Sequence, residues 1–409
     1  MNRRLFLHNE NALMAIAELL KTEVQQYIED HENHDPFSLS LKAKQLPKDF
    51  PVKEAIAQIQ ARQKARKKLP EWHAQKGILF PPALSMEQCS SELTAKYKST
   101  LVKGKKLIDI TGGTGIDTFY LSRSFEQTAY VEQQAHLCEL ARHNFSILEA
   151  PIECIEADGV EFVLDSGENY DCIYLDPARR SESLQRVHFL EDCTPNIVAI
   201  KDELLQKAKK VLVKTAPMMD IRQAVHDLGC VEQIWVVSLE NECKEVLYLL
   251  GKNPKEDPEI TAVNLRKNGN AQLFVTSKDK EQIATSEFSK PLNYLCEPNA
   301  SVLKAGAYKH VGEAFGLKKL HTNSHLYTSE KLPEGFPGKV FRILGTCPYD
   351  RKKISKILPE KKASVAVRNF PDAPDKIRKK LKLKDGGNCQ LFATTDFEGL
   401  RVLVVAKRI

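Results

Sequence analysis

The sequence predicts an α/β fold: an open, mostly parallel sheet closed by an antiparallel hairpin, preceded by helices and followed by a smaller α+β domain. Three observations carry this. The apolar run Lys106–Ile110 enters the glycine-rich turn Thr111-Gly-Gly-Thr-Gly115 and then a helical pattern. Farther along, the apolar run Asp171–Leu175 ends in Asp176-Pro177, at the strand edge where open α/β sheets place their chemistry. Finally, Val231–Leu239 and Glu245–Leu250 are strand-like runs with a short connection. They must pair antiparallel, because a parallel return needs a crossover of about a dozen residues.

Taken in order, the chain reads as helical up to about Tyr97. Apolar residues fall at helical spacing over Asn11–Tyr27 and Val52–Leu69, the latter ending in the basic stretch Arg62–Lys68. Pro81-Pro82 interrupts the pattern. Ser85–Tyr97 then reads as one helix, with Ser85 as N-cap and Gln88 in the capping-box position. From Lys105 to Lys252 strands alternate with helices, as parallel βαβ units do. Strands are expected at Lys106–Ile110, Gln127–Val131, Ile152–Ile155, Asp171–Leu175 and Lys210–Lys214, with a crossover helix at Ala135–Leu148. Asn253–Pro258 is polar and proline-rich, a linker. Beyond it come a strand at Gln272–Thr276 and a helix over Ala300–Phe315. The remainder is strand Val340–Leu344, helix Asp350–Leu358, strand Lys362–Asn369, helix Ala373–Leu381 and strands Cys389–Thr394 and Leu400–Ala406. The expected domains are residues 1–98 (helical), 99–252 (the parallel sheet), 253–335 (linker and a small α+β piece) and 336–409 (a basic α+β domain).

Composition narrows the class. With 42% hydrophobic and 28% charged residues in 409, the chain is an ordinary globular one of two or three domains. Its net charge of +6 is regional. Arg351–Lys384 holds 13 Lys/Arg against 3 Asp/Glu, a local +10 that leaves the rest at −4. Such an excess meets phosphates or forms a solvated face. The ten cysteines are scattered without a C-x-x-C pair, which suits a reducing cytosol and indicates neither zinc ligation nor a disulfide framework. The polar His8–Asn11 cuts short any signal peptide, and no apolar run reaches the roughly 18 residues of a membrane span. A cytoplasmic location is expected.

Four strand ends carry the candidate chemistry. Gly113 and Gly115 let backbone approach a nucleotide-type ligand after strand one, whereas the dinucleotide pattern G-x-G-x-x-G fails at Thr118. Glu132, ending strand two, fits two ribose hydroxyls or a helix cap. Asp158, past strand three, fits an adenine amino group or a cap for the helix starting near Val160. Asp176 can accept the N–H of an exocyclic amine, helped by the Pro177 carbonyl. Arg179 and Arg180 follow at the pocket mouth, suited to a phosphate or base edge. No cysteine follows the ends of strands four or five, which disfavours pyrimidine C5 chemistry. His321 and His325 are four apart, but Asn323-Ser324 between them reads as loop, so no histidine pair makes a plausible metal site.

Together Phe80–Tyr97, Asp109–Asp117, Asp176–Arg179, Glu297–Ala300, Ser324–Ser329 and Lys384–Gly387 resemble a family of bacterial class I S-adenosylmethionine-dependent methyltransferases. The resemblance implies a Rossmann-like methyltransferase domain, a ferredoxin-like segment within 253–335 and a THUMP-like domain at 336–409. It departs from the usual D/E-x-G-x-G-x-G at Thr111, and no aromatic follows Asp176-Pro177. The cofactor implied is S-adenosylmethionine, held by Asp109, Thr111, Gly113, Gly115, Glu132 and Asp158, with Ser91, Glu92 and Thr94 as a lid. Asp176, Pro177 and Arg179 are the catalytic candidates. THUMP domains are associated with RNA, so tRNA or rRNA is the implied partner. Arg180, Lys352, Lys353, Lys361, Lys362, Arg368, Lys379 and Lys380 are the candidate contacts. The competing readings are methylation of a protein or small molecule, and an RNA-binding protein on a catalytically idle fold.

Overall fold

The computed structural model describes residues 16–81, 83–179 and 189–409, and the chain divides into two compact units, Met1–Glu232 with Leu247–Pro254, and Gln233–Val246 with Lys255–Ile409.

The first unit opens with helices. The expected Asn11–Tyr27 helix lies outside the described residues at its start and is broken at Lys21, whose ψ of 137° is extended. Helix α1 is Thr22–His31, and the long α2 is Val52–Lys68. Helix α2 serves two cores. Ala55 and Ile59 pack with Val24, Ile28 and Leu79, while Ala61 and Ala65 pack with Trp72, Phe80, Phe119 and Phe145. The expected single helix Ser85–Tyr97 is two, α3 at Ala83–Gln88 and α4 at Glu92–Ser99. Ser91, not Ser85, is the cap: it is extended and its hydroxyl accepts the Thr94 N–H at 3.2 Å. Serines compete with helical backbone hydrogen bonds, and the pair Ser90-Ser91 stops one helix and starts the next.

The parallel strands are β1 (Gly104–Asp109), β2 (Phe125–Glu132), β3 (Ile152–Glu156), β4 (Tyr170–Leu175) and β5 (Ala208–Thr215), in spatial order β5-β4-β1-β2-β3. Helices α5 (Ile116–Ser122), α6 (Ala135–Ile147), α7 (Gly159–Asp165) and α8 (Ile197–Lys207) connect them. Strand order reverses between β1 and β4, the switch point where such sheets bind ligands. Two contacts hold this point tight. A Cβ on Gly159 would lie 2.1 Å from the Ile110 carbonyl oxygen, and Gly115 sits at φ +75° where a Cβ would meet Phe145 at 2.7 Å.

The hairpin is β6 (Val231–Leu239) and β7 (Glu242–Gly251), joined by Glu240-Asn241, both at positive φ as a two-residue type I′ turn requires. Its residues are divided between the two units. In the second unit, Gln233–Leu239 of β6 pairs parallel with a strand not expected from the sequence, β8 (Glu259–Leu265), and β8 pairs antiparallel with β9 (Ala271–Thr276). Pro258 made the start of β8 read as linker.

A second sheet contains β10 (Tyr294–Pro298), β11 (Tyr327–Ser329), β12 (Gly338–Pro348), β13 (Ser364–Arg368), β14 (Gln390–Thr395) and β15 (Arg401–Arg408). Their order is β11-β10-β12-β15-β14-β13, with β13–β14 the parallel pair. The expected Ala300–Phe315 helix is two short ones, Ala300–Lys304 and His310–Ala314, separated at Gly306 with φ +77°. One face of the second sheet carries the helices Arg351–Ile357 and Pro374–Leu381 over Leu391, Ala393, Leu403 and Val405. On the other face Phe341, Phe392 and Val404 pack against Leu295, Leu320 and Leu326.

Gly159→Ala is expected to destabilise the protein by about 1–3 kcal/mol or more, because the added carbon meets backbone. Gly167→Ala, where a Cβ finds nothing within 4 Å, should be neutral. Urea midpoints of the two variants check this.

Candidate active site

The carboxyl ends of β1 to β5 open onto a cleft of about 330 Å³. It is lined after β1 by Thr111 and Gly113, at the end of β2 by Glu132, past β3 by Asp158, past β4 by Asp176 and on β5 by Lys214. Ser85, Gln88, Cys89 and Ser90, from α3 and the break after it, form another wall.

Backbone hydrogen bonds set the loops. Buried Asp109 accepts the Thr111 N–H at 3.0 Å and the Thr118 hydroxyl at 2.5 Å. The Thr111 hydroxyl in turn accepts the Asp176 N–H at 2.7 Å, tying the β1 and β4 loops together. Thr111, standing where a glycine was expected, is therefore a bridge. The Glu132 carboxylate accepts the Gly113 and Gln134 amides, each at 2.8 Å. Asp158 caps α7, accepting from Val160 and Glu161 at 2.9 and 3.1 Å. The cap reading of Asp158 thus holds while the residue also lines the cleft.

Gly115 does not line the cleft; its positive φ and the Phe145 ring account for it. Pro177 is not among the lining residues either. Ser91, Glu92 and Thr94 form no lid: Ser91 and Thr94 serve the α4 cap, and Glu92 holds the Glu71 N–H at 2.7 Å and Lys96. The wall expected of them is supplied by the turn just before. The side chain of Arg179, and all of Arg180, lie outside the described residues.

A buried charge cluster behind the cleft was not anticipated. Lys214 Nζ is 2.5 Å from Asp176 Oδ2 and 3.3 Å from Asp117 Oδ2. Lys98 Nζ reaches Asp117 Oδ1 at 3.2 Å. Ser90 and Tyr174 hydroxyls each donate to Asp117 at 2.8 Å. Side-chain exposure is 0% for Lys98, 11% for Asp117 and Lys214, and 40% for Asp176, so the cleft sees this cluster through Asp176. Burial alone would raise the Asp117 carboxyl. The Lys98 and Lys214 ammonium groups, with Tyr174 and Ser90, hold it well below the usual carboxylate range instead. Asp109 goes the other way. Burial, reinforced by the nearby charges of Asp117 and Asp176, pushes it up to about 7 against the pull of its hydrogen bonds. Lys214 directly follows the apolar run Val211–Val213, a signal for a buried lysine, and Asp117 closes the glycine motif. Lys98 carries no such mark.

The basic residues fall in the C-terminal domain. Lys352 and Lys353 on one helix, Lys379 and Lys380 on the other, and Lys361 and Lys362 between strands and helices are exposed. Lys380 lies 4.0 Å from the Tyr349 ring centre. Arg368 is engaged by Glu297 Oε1 at 2.5 Å, so it is the least available of the set.

Comparison with known proteins agrees with this arrangement. Residues 294–337 match a ferredoxin-like domain model, and residues 338–408 match a THUMP domain-like model. A crystallised candidate methyltransferase of Porphyromonas gingivalis W83 is 32% identical, with a TM-score of 0.85 over 94% of this chain and 97% of that one. The chain belongs to this methyltransferase family. An uncharacterized S-adenosylmethionine-dependent methyltransferase of Mycobacterium tuberculosis, found in strains CDC 1551 and H37Rv, is 24% identical over 308 residues, 73% of this chain and 80% of that one. The enzyme is an S-adenosylmethionine-dependent methyltransferase with a class I sheet.

The cleft fits that cofactor. Each Glu132 oxygen holds one backbone amide, and a carboxylate has about four acceptor sites, so two remain for ribose hydroxyls. Above Gly113, at φ +54°, a Cβ would find only the Thr111 carbonyl, at 3.6 Å, leaving room for a ligand against the backbone. Among the described residues no helix is long and apolar enough to cross a membrane, and no cluster of His, Cys, Asp and Glu suits a metal ion.

The raised Asp109 carboxyl makes stability pH-dependent. Its folded value of about 7 lies above the ordinary 3.8. The folded state therefore holds the extra proton between these values, and the contribution, complete below about pH 4, is lost as pH rises through 7. Asp109→Asn should consequently gain on wild type between pH 4.5 and 8, by roughly 2–4 kcal/mol at most. Urea titrations at both pH values measure the difference.

Proposed function

We propose that this methyltransferase modifies an exocyclic amino nitrogen of a base in structured RNA, tRNA or rRNA. The observation carrying the nitrogen assignment is Asp176, half-exposed in the cleft and held by Lys214 at Oδ2. An amino nitrogen's lone pair is delocalised into the base, and an anchored carboxylate accepting its N–H helps turn that lone pair outward. Lys214 restrains the carboxylate in one orientation, and positioning of this kind is worth up to about 7–11 kcal/mol when the geometry is good. S-adenosylmethionine, when bound, supplies a methyl group activated on a sulfonium. Glu132 would hold its ribose and Asp158 its adenine amino group, with the Gly113 backbone against the methionine portion.

RNA is supported by the exposed lysines of the THUMP-like domain, whose regional charge of +10 stands against an otherwise acidic chain. Lysines spread over two helices and a turn suit recognition of backbone and shape more than base edges. Each neutralised phosphate releases counterions, so affinity should fall steeply with salt. The enzyme would act in the cytoplasm.

Asp176→Ala should lose methyl transfer to RNA by about 100-fold or more while S-adenosylmethionine binding, read by calorimetry, stays within a few-fold. Asp176→Asn, which keeps a carbonyl acceptor, should retain part of the rate. Equal loss of binding and transfer would assign Asp176 to the cofactor instead. The substrate class is tested by mass spectrometry of modified nucleosides in total RNA with and without the gene. Methyl label that resists ribonuclease and follows protein would overturn the RNA assignment.

A further inference from the structure

A second cavity, of about 220 Å³, opens at one end of the sheet in the THUMP-like domain. Lys339 and Phe341 of β12, Ser364 of β13, Gln390 of β14 and Arg408 of β15 line it, with Gly387 and Asn388 from the turn before β14. Side chains alternate along a strand. Leu391 and Val405 face the helices, so Gln390 and Arg408 fall on the opposite face, with Phe392 and Ala406. This cavity is therefore separate from the lysines of the Arg351–Ile357 and Pro374–Leu381 helices.

We propose that the cavity binds a phosphate group. Apart from Lys339, its polar lining is a set of donors without protein acceptors. Among the described residues, the Arg408 guanidinium, the Ser364 hydroxyl, the Asn388 and Gln390 side-chain amides and the Gly387 N–H make no hydrogen bond or ion pair within the chain. Lys339 has one acid near it, Glu297, whose Oε2 lies at 3.9 Å while its Oε1 holds Arg368, so the Lys339 charge is partly offset. No acid lines the cavity. An Arg408 guanidinium with no protein partner, the Lys339 ammonium and several neutral donors lining one concavity favour positive potential there, as an oxyanion requires. Gly387 is held at φ +88°, and a Cβ there would meet Lys362 Cγ and its carbonyl oxygen at 3.3 Å. The turn therefore keeps a glycine there, with its backbone at the cavity wall. The bound group is a phosphomonoester or phosphodiester. If the RNA assignment above holds, it is a backbone or terminal phosphate of the RNA, and only the source of the phosphate rests on that assignment.

The test uses the full chain, titrated with inorganic phosphate and with an RNA hairpin. It compares wild type, Lys339→Gln/Arg408→Gln and the helix-face variant Lys352→Gln/Lys353→Gln. Unchanged circular dichroism and urea midpoint in each variant confirm folding. The expected result is phosphate binding weakened at least tenfold in Lys339→Gln/Arg408→Gln and unchanged in Lys352→Gln/Lys353→Gln. RNA affinity should fall about tenfold or more, with a salt slope shallower by roughly one to two in Lys339→Gln/Arg408→Gln. Phosphate and RNA binding both unchanged in that variant would overturn the proposal. Arg408-dependent phosphate binding by an enzyme that binds no RNA would uphold the cavity, assign it to a small phosphorylated ligand and remove the RNA assignment.

Discussion

Two ammonium groups, Lys98 and Lys214, are buried against one carboxylate, Asp117, and the balance is completed by Asp176 at the cleft. In a low-dielectric interior an uncompensated charge costs several kcal/mol, so the four must be held together or not at all. Their origins explain what this demands of the fold. Lys98 comes from α4, Asp117 from α5, Lys214 from β5 and Asp176 from beyond β4, with Ser90 donating from the break between α3 and α4. The helical N-terminal segment is thus fastened to the sheet at its reactive edge. A buried ion pair is weak evidence of stability, since apolar residues of like volume often do as well. What an apolar cluster could not do is hold a carboxylate in the cleft.

Around this cluster the loops are ordered by side chains accepting backbone N–H groups. Asp109 organises the β1 turn, Thr111 links it to Asp176, and Glu132 ties Gly113 to the β2 loop. Each element of the cleft is thereby set by a neighbour within the same unit. Such preorganisation means that little reordering is left to the moment of binding. The same economy places Asp158 and Glu132 in double roles, satisfying backbone donors while keeping acceptor capacity at the cleft.

Much of this was legible in the sequence because strand periodicity and strand ends are local signals. Buried parallel strands read as continuous apolar runs, as Cys172–Leu175 and Val211–Val213 do, and the acids at their ends fall on one edge. What failed was also local. Ser85–Tyr97 has helical spacing throughout, and nothing but the competition of Ser90-Ser91 for backbone donors divides it. Gly306 divides Ala300–Phe315, and Glu259–Leu265 hides a strand behind Pro258. The charge cluster was illegible for a different reason. Lys98, at helical spacing, reads as a solvated side chain, and its burial follows from the meeting of α4 with α5, which no pattern within either helix contains.

Cysteine placement sharpens the chemistry. Methylation at a pyrimidine carbon requires a thiolate nucleophile beside the target. The sequence offers none after β4 or β5, yet the structure brings Cys89 into the cleft wall. Burial pushes its thiol up, and the charges of Lys68 and Lys214 only partly oppose this. A thiol held protonated is a poor nucleophile. The Lys214 ammonium, which could have activated it, is instead bound to Asp176 and Asp117. Lys214 thereby fixes a hydrogen-bond acceptor, Asp176, at the cleft.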